Sequence, residues 1–322
     1  MQNILLIHTG GTISMEEDKN TGEVKPGESN LLVKHINGIP NINLISLELL
    51  HLPSPHITPN DMLKIKETIE EKVKSDQLEG VVITHGTDTL EETAYFLDLT
   101  LDVDIPVVLT GAMRSSNELG SDGLYNLLSA IKVASAKEAK KMGVLVVMND
   151  EIHTAKNCTK THTSNVATFQ SPQYGPIGFV NKNAVVFHHN PFVTSSLPVK
   201  SLNKNVLLLK AFAGMDDSIL SALENIQLDG LVIEALGQGN LPPKMLPGIK
   251  KLINKGIPVV LVSRCFNGIV QDIYGYEGGG RHLKELGLIF SNGLNGQKAR
   301  LKLMIALEST TEFEKLETIF SY

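Results

Sequence analysis

Ile4-Leu5-Leu6-Ile7-His8-Thr9-Gly10-Gly11-Thr12-Ile13 lies at the start of the chain. Its apolar run suits a short buried strand. The two glycines that follow permit backbone angles other residues resist, and threonines bracket them. In an open α/β sheet, ligands bind just past the carboxyl ends of the strands. Thr9 and Thr12 are therefore expected at the mouth of a site, with glycine letting a ligand approach the backbone. An ordinary strand with a Gly-Gly turn explains the same residues, since short glycine motifs recur without function. The rest of the chain has to decide.

The same order of elements recurs downstream. A strand is predicted over Asn43–Leu50, ending in His51-Leu52-Pro53-Ser54-Pro55. Thr58 is a suitable N-cap and Pro59 a suitable first residue for the next helix. Apolar residues at 62, 63, 65, 69 and 73 give that helix a buried stripe. Val81-Val82-Ile83 is a continuous apolar run, as in a parallel strand buried on both faces. His85-Gly86-Thr87-Asp88-Thr89 follows it, then a helix over Leu90–Leu99. A strand over Asp104–Thr110 breaks at Gly111, a helix covers Asp122–Ala134, and a strand over Gly143–Met148 ends at Asn149-Asp150. Alternating strand, polar loop and helix predict an α/β fold on a mainly parallel sheet. Every strand ends in small or polar residues, so one site fed by several strand ends is expected.

Ser14–Asn30 is polar and rich in turn formers, which in this position reads as a lid. Glu151–Gly178 shows no clear periodicity, and Val185–His188 closes the first half as a strand. The sequence divides into a domain over 1–188, a polar linker over 189–205 and a second α/β domain over 206–322. In the second, strands begin at Val206, Gly230 and Pro258, and helices fall near 217–227, 244–255 and 298–307. Two domains also suit the length, 322 residues being too many for one ordinary core.

Composition excludes several classes. Hydrophobic content of 42% and charged content of 20% are those of a folded globular chain. Lys and Arg number 29 against 35 Asp and Glu, with no basic patch, so no nucleic-acid partner is expected. No run reaches the roughly 18 apolar residues of a membrane span, and the first residues lack a basic region and cleavage site. No membrane association is expected, and the cytoplasm is the expected compartment. Cys158 and Cys265 form no CxxC pair and read as reduced, buried thiols. The histidines show no metal-ligand spacing, and His8 and His85 read as structural residues bonded to loop backbone. Gly10-Gly11-Thr12 lacks the lysine of a P-loop, which disfavours a nucleotide. Gly278-Gly279-Gly280 suits either a phosphate cradle or a flexible loop.

Two further places can carry chemistry. Thr87-Asp88 directly follows a buried strand, and a buried carboxylate beside hydroxyls must be paired or hydrogen-bonded. It could hold a substrate ammonium or orient a base. Equally, Asp88 or Thr89 could merely cap the helix from Leu90, with Glu91 and Glu92 at its positive end. Lys160 stands in an otherwise uncharged stretch of Thr, Asn, His and Ser, where it is either a proton relay or a solvated surface lysine.

Thr9-Gly10-Gly11-Thr12-Ile13 together with His85-Gly86-Thr87-Asp88-Thr89-Leu90-Glu91-Glu92-Thr93-Ala94 resembles the bacterial L-asparaginase family. Gly111-Ala112-Met113-Arg114, Val146-Val147-Met148-Asn149-Asp150, Thr159-Lys160-Thr161, Tyr174-Gly175-Pro176, Gly239-Asn240 and Asn295–Arg300 extend the likeness over nearly the whole chain. The resemblance implies a larger N-terminal domain with a mixed, mostly parallel sheet and a smaller flavodoxin-like C-terminal one. It implies hydrolysis of L-asparagine, with L-glutamine as an alternative substrate, through an acyl enzyme on Thr12. Thr87, Asp88 and Lys160 would act together, Gly11 and Ser54 would contact substrate, and Thr9 becomes structural. Asn240 would be lent to a neighbouring subunit of a homodimer or homotetramer, and Glu277 would meet the substrate ammonium. No metal or organic cofactor is implied. One departure stands out: many relatives carry a lid tyrosine, and residues 14–30 contain none. A non-catalytic amino-acid sensor keeping the same pocket is the competing expectation, and turnover separates the two.

Overall fold

The structure, a computed structural model, describes residues 1–18, 21, 24–26, 41–192, 196–223 and 225–321. The chain forms two compact units, Met1–Ser196 and Leu197–Tyr322.

The first unit is built on eight strands: β1 (Gln2–His8), β4 (Ile42–Glu48), β5 (Gly80–Thr84), β6 (Val107–Thr110), β7 (Val144–Met148), β8 (Glu151–Thr154), β11 (Gly178–Val180) and β12 (Val185–Phe187). Their order across the sheet is β12-β11-β8-β7-β6-β5-β1-β4. From β4 to β7 all neighbours run parallel; beyond β7 they run antiparallel. This is the mixed, mostly parallel sheet expected. The apolar runs explain its centre: Ile4–Ile7 and Val81–Ile83 are fully buried. Side chains alternate between faces along a strand. Ile4, Leu6, Val82 and Val108 share a core with Leu127, Ala130 and Ile131 of helix α3 (Gly123–Ala134). Leu5, Ile7, Val81 and Ile83 take the other face, the side of α2 (Leu90–Thr100). Helix α1 (Pro59–Ser75) packs on α2. Its start is the capping box expected at Thr58: Asp61 N–H donates to Thr58 Oγ1 at 3.3 Å, and Thr58 N–H donates to Asp61 Oδ2 at 2.9 Å.

Three stretches differ from their sequence reading. Asn149-Asp150 is the tight turn of the β7–β8 hairpin, both residues at positive φ (50° and 67°), and not a site loop. Glu151–Gly178, which lacked periodicity, holds β8 and the two-residue pair β9 (Thr159–Lys160) and β10 (Phe169–Gln170). Strands this short leave no period to detect. The expected lid contains two short antiparallel strands, β2 (Met15–Glu17) and β3 (Val24–Pro26); the remainder of that reading lies largely outside the described residues.

The second unit has a four-stranded parallel sheet ordered β13-β14-β15-β16 (Val206–Lys210, Gly230–Ala235, Val259–Ser263, Ile289–Phe290). Helices α4 (Ser218–Leu223), α5 (Leu246–Asn254) and α7 (Gly296–Ser309) match the three expected; α6 (Gly280–Glu285) and α8 (Phe313–Phe320) are additional. Helix α7 packs across β13, β14 and β15. The triple glycine is neither a phosphate cradle nor a loose loop. Its residues are buried, and a Cβ on Gly278, Gly279 or Gly280 would lie 2.2, 2.4 or 2.1 Å from the carbonyl oxygens of Leu241, Tyr274 and Gln271. Cys158 is buried as expected, but Cys265 is exposed; neither forms a disulfide. No helix among the described residues is long and apolar enough to cross a membrane.

Candidate active site

The strand order decides which loops meet. Strands β6, β5, β1 and β4 are consecutive and parallel, so the segments leaving their carboxyl ends lie side by side. These are Gly111, His85–Thr89, Thr9–Ile13 and Leu52–Ser54. Backbone bonds stitch them together: Thr9 N–H to Thr84 O at 3.2 Å, Leu52 N–H to Thr9 O at 3.1 Å and His85 N–H to Thr110 O at 2.9 Å.

Glycine sets how close they come. Gly11 has φ +87°, and a Cβ there would lie 2.3 Å from Gly86 Cα. A Cβ on Gly86 would meet the Ser54 side chain at 2.7 Å. The two threonine motifs thus touch backbone to backbone, which only a glycine pair allows. Thr12 follows this contact on a 3-10 turn (Thr12–Ser14), half-buried, with Ile13 buried behind it. Thr9 is buried and donates its hydroxyl to Thr84 O at 2.9 Å, a structural residue as expected.

Across the contact, Lys160 Nζ donates to Thr87 Oγ1 at 3.0 Å and to Asp88 Oδ1 at 2.7 Å. Thr87 is buried, and the Lys160 side chain is 15% exposed. Asp88 corrects the expectation of a buried carboxylate. Its side chain is 59% exposed, because it sits where the loop turns outward into α2, and its pairing comes from Lys160. Neither Asp88 nor Thr89 caps the helix through its side chain. Thr89 occupies the N-cap position but donates its hydroxyl to Ser54 O at 2.8 Å. Ser54 is buried, and its Oγ accepts the Asp88 N–H at 3.2 Å. The structure therefore joins Gly11, Ser54, Thr87, Asp88 and Lys160 in one connected cluster, with Thr12 at its edge.

The two strand-end histidines are neutral props. His85 is fully buried; its Nδ1–H faces Gly86 O at 2.8 Å and its Nε2 accepts from Thr93 Oγ1–H at 2.9 Å. Burial lowers its pKa to about 4 against a small opposing pull from the Gly86 carbonyl. His8, also lowered by burial to about 4, has its Nδ1 2.9 Å from the Thr84 hydroxyl. Among the described residues no group of three or more His, Cys, Asp or Glu side chains is placed to hold a metal ion.

Asn240 and Glu277 belong to the second unit. Asn240 lies in a turn closed by a bridge to Leu236, and its Oδ1 accepts Gly280 N–H at 3.3 Å at the start of α6. Glu277 is exposed in the turn just before the buried glycines. Sequence reasoning missed Glu91, giving it only the helix end. It is 5% exposed, and its Oε1 accepts from Thr159 Oγ1 at 3.0 Å and from Lys160 N–H at 3.3 Å. Local spacing carried no signal for it, since its partners Thr159 and Lys160 lie 68 and 69 positions away.

Two hydroxyls on adjoining loops, Thr12 and the lysine-bonded Thr87, at the carboxyl ends of a parallel sheet suit covalent attack on a carbonyl compound. Residues 3–193 match the family model described as asparaginase, N-terminal, and residues 205–320 match the glutaminase/asparaginase C-terminal domain. The chain belongs to the asparaginase family. A protein of Deinococcus radiodurans named probable L-asparaginase is 39% identical, the match covering 100% of this chain and 98% of that one. A probable periplasmic L-asparaginase of Haemophilus influenzae is 34% identical, over 99% and 93%. The crystal structure of a probable cytoplasmic L-asparaginase from Campylobacter jejuni superposes with a TM-score of 0.89 at 32% identity, over 100% and 99%.

Proposed function

We propose that this chain hydrolyses L-asparagine to L-aspartate and ammonia through an acyl-threonine intermediate. The observation that carries the reading is Lys160 Nζ lying 3.0 Å from Thr87 Oγ1 and 2.7 Å from Asp88 Oδ1, on a loop pressed against the one bearing Thr12. In this reading Thr12 Oγ attacks the side-chain amide carbon. A hydroxyl is a poor nucleophile until a base takes its proton. The Thr87–Lys160 pair assists proton transfer beside the reacting carbon. Developing negative charge on the amide oxygen is met by backbone N–H groups of the glycine-rich turns. The C–N bond breaks, ammonia leaves with a relayed proton, and water hydrolyses the ester to regenerate Thr12.

Gly11 lets the substrate approach the backbone. Half-exposed Asp88 faces the substrate ammonium while holding Lys160. Ser54 accepts the Asp88 N–H through its oxygen, which leaves its own proton for the substrate carboxylate. Asn240, lent by a neighbouring copy in a homodimer or homotetramer, and Glu277 are the further substrate contacts of this reading. L-glutamine is the second substrate, in keeping with the name of the C-terminal family. The compartment proposed is the cytoplasm, as in the name of the Campylobacter protein; fractionation of cells tests it.

Ammonia release from L-asparagine and L-glutamine, measured side by side, tests the substrate. Thr12→Ala and Thr87→Ala are each expected to abolish turnover. Full activity in either variant removes that threonine from the mechanism, and binding of asparagine without turnover by the wild-type chain replaces the enzyme with a sensor.

A further inference from the structure

Lys160 sits on β9, a strand of two residues whose partner β10 also has two. Such a ladder holds little by itself. The reading of Lys160 as a proton relay requires its ammonium to stay on Thr87, yet the lysine stem has four rotatable carbons. Something outside the ladder has to fix where that stem begins.

Glu91 does so. One carboxylate oxygen accepts the Thr159 hydroxyl at 3.0 Å and the Lys160 backbone N–H at 3.3 Å. Glu91 belongs to the first turn of α2, directly after Thr87-Asp88. Thus α2 and the loop leading into it hold both ends of one side chain: Glu91 takes the root of Lys160, Thr87 and Asp88 its tip. The carboxylate is 5% exposed, and its place at the positive end of a helix offsets the cost of burying it. Deletion of its oxygens would leave Thr159 and the Lys160 amide without this anchor and free the strand to shift.

We propose that Glu91 is a positioning residue that anchors β9 and so keeps Lys160 on Thr87. This rests on Lys160 acting in the asparaginase reaction proposed above. The test is a double-mutant cycle on kcat and KM for L-asparagine. Glu91→Ala is expected to lower kcat about 100-fold, the cost of an ångström-scale misplacement, with KM little changed. Glu91→Gln keeps an acceptor oxygen and should stay within about threefold of wild type. Thr159→Val, which removes one of the two bonds while preserving shape, should fall between them and guards against a Glu91→Ala chain that does not fold. The decisive arm adds Glu91→Ala or Thr159→Val to Lys160→Met. If Glu91 works through Lys160, the double variant is no slower than Lys160→Met alone. An undiminished further loss in that background overturns the proposal, as does wild-type kcat in both Glu91→Ala and Thr159→Val. A Lys160→Met enzyme with wild-type kcat overturns the proton-relay reading itself, a distinct result that also leaves Glu91 nothing to position.

Discussion

The contact between Gly11 and Gly86 makes the sharpest demand on the sequence, and Gly11→Ala tests it. A Cβ on Gly11 would lie 2.3 Å from Gly86 Cα and 2.4 Å from Gly86 N. Ordinary contact begins near 3.4 Å, so the two backbones must part by about 1 Å. They cannot do so at the strands, where β1 and β5 are in register up to His8 and Thr84. The displacement must fall on the loops carrying Thr12 and Thr87. An error of about 1 Å in placing reacting groups costs about 100-fold in rate, or about 2.7 kcal/mol of barrier. Strain adds to this, because φ of +87° disfavours alanine by about 1–2 kcal/mol. Gly175→Ala separates the two effects: φ there is +73°, with nothing within 4 Å of the added carbon. Both variants are expected to lose a little thermal stability, and only Gly11→Ala to lose kcat in an ammonia-release assay. A Gly11→Ala enzyme within about threefold of wild-type kcat, or an equal kcat loss in Gly175→Ala, refutes the argument.

Other outcomes follow from single features. Lys160→Met should lower kcat by about 10²- to 10⁴-fold, the range for a lost acid–base group, with unchanged circular dichroism. His8 and His85 have folded pKa values of about 4 against 6.5 for the free side chain. Between those values the unfolded chain binds protons that the folded one does not, so stability falls as pH drops from 6.5 toward 4. The full loss is about 3 kcal/mol per histidine; urea midpoints at pH 7, 5.5 and 4.5 measure it, and a flat profile contradicts it. Thr58→Ala removes the cap of α1 and should cost about 1 kcal/mol in the same titration. Gly278→Ala drives a methyl to 2.2 Å from Leu241 O at φ +82° and is expected to lower the melting midpoint by more than Thr58→Ala.

What the sequence made legible follows from burial. Parallel strands covered on both faces must be apolar throughout, so β1, β5, β6 and β7 stood out as unbroken runs. The loops after them stood out because glycine, threonine and aspartate have no place inside such strands. The region Glu151–Gly178 was illegible for the opposite reason. Its strands are two to four residues long, and Lys160 finds its hydrogen-bond partner in Thr87, 73 positions away. Only the resemblance to the asparaginases pointed to that pairing; spacing alone left a surface lysine as an open reading. The errors share a cause as well. Asp88 was expected to be buried because it follows a buried strand, but the chain turns outward between Thr87 and α2, and one residue is enough to change its exposure. The three consecutive glycines were read for conformational freedom, and their observed role is close packing against carbonyl oxygens. Gly11 shows that these roles are not alternatives. Its positive φ turns the chain out of β1, and its missing side chain lets Gly86 sit against it. The first property is visible in ten residues, and the second needs the strand order that brings residue 86 alongside. The functional weight of the opening motif therefore lies in the sheet topology as much as in the motif itself. A Gly-Gly-Thr sequence after a strand not adjacent to β5 would make a turn, without a second threonine loop to press against.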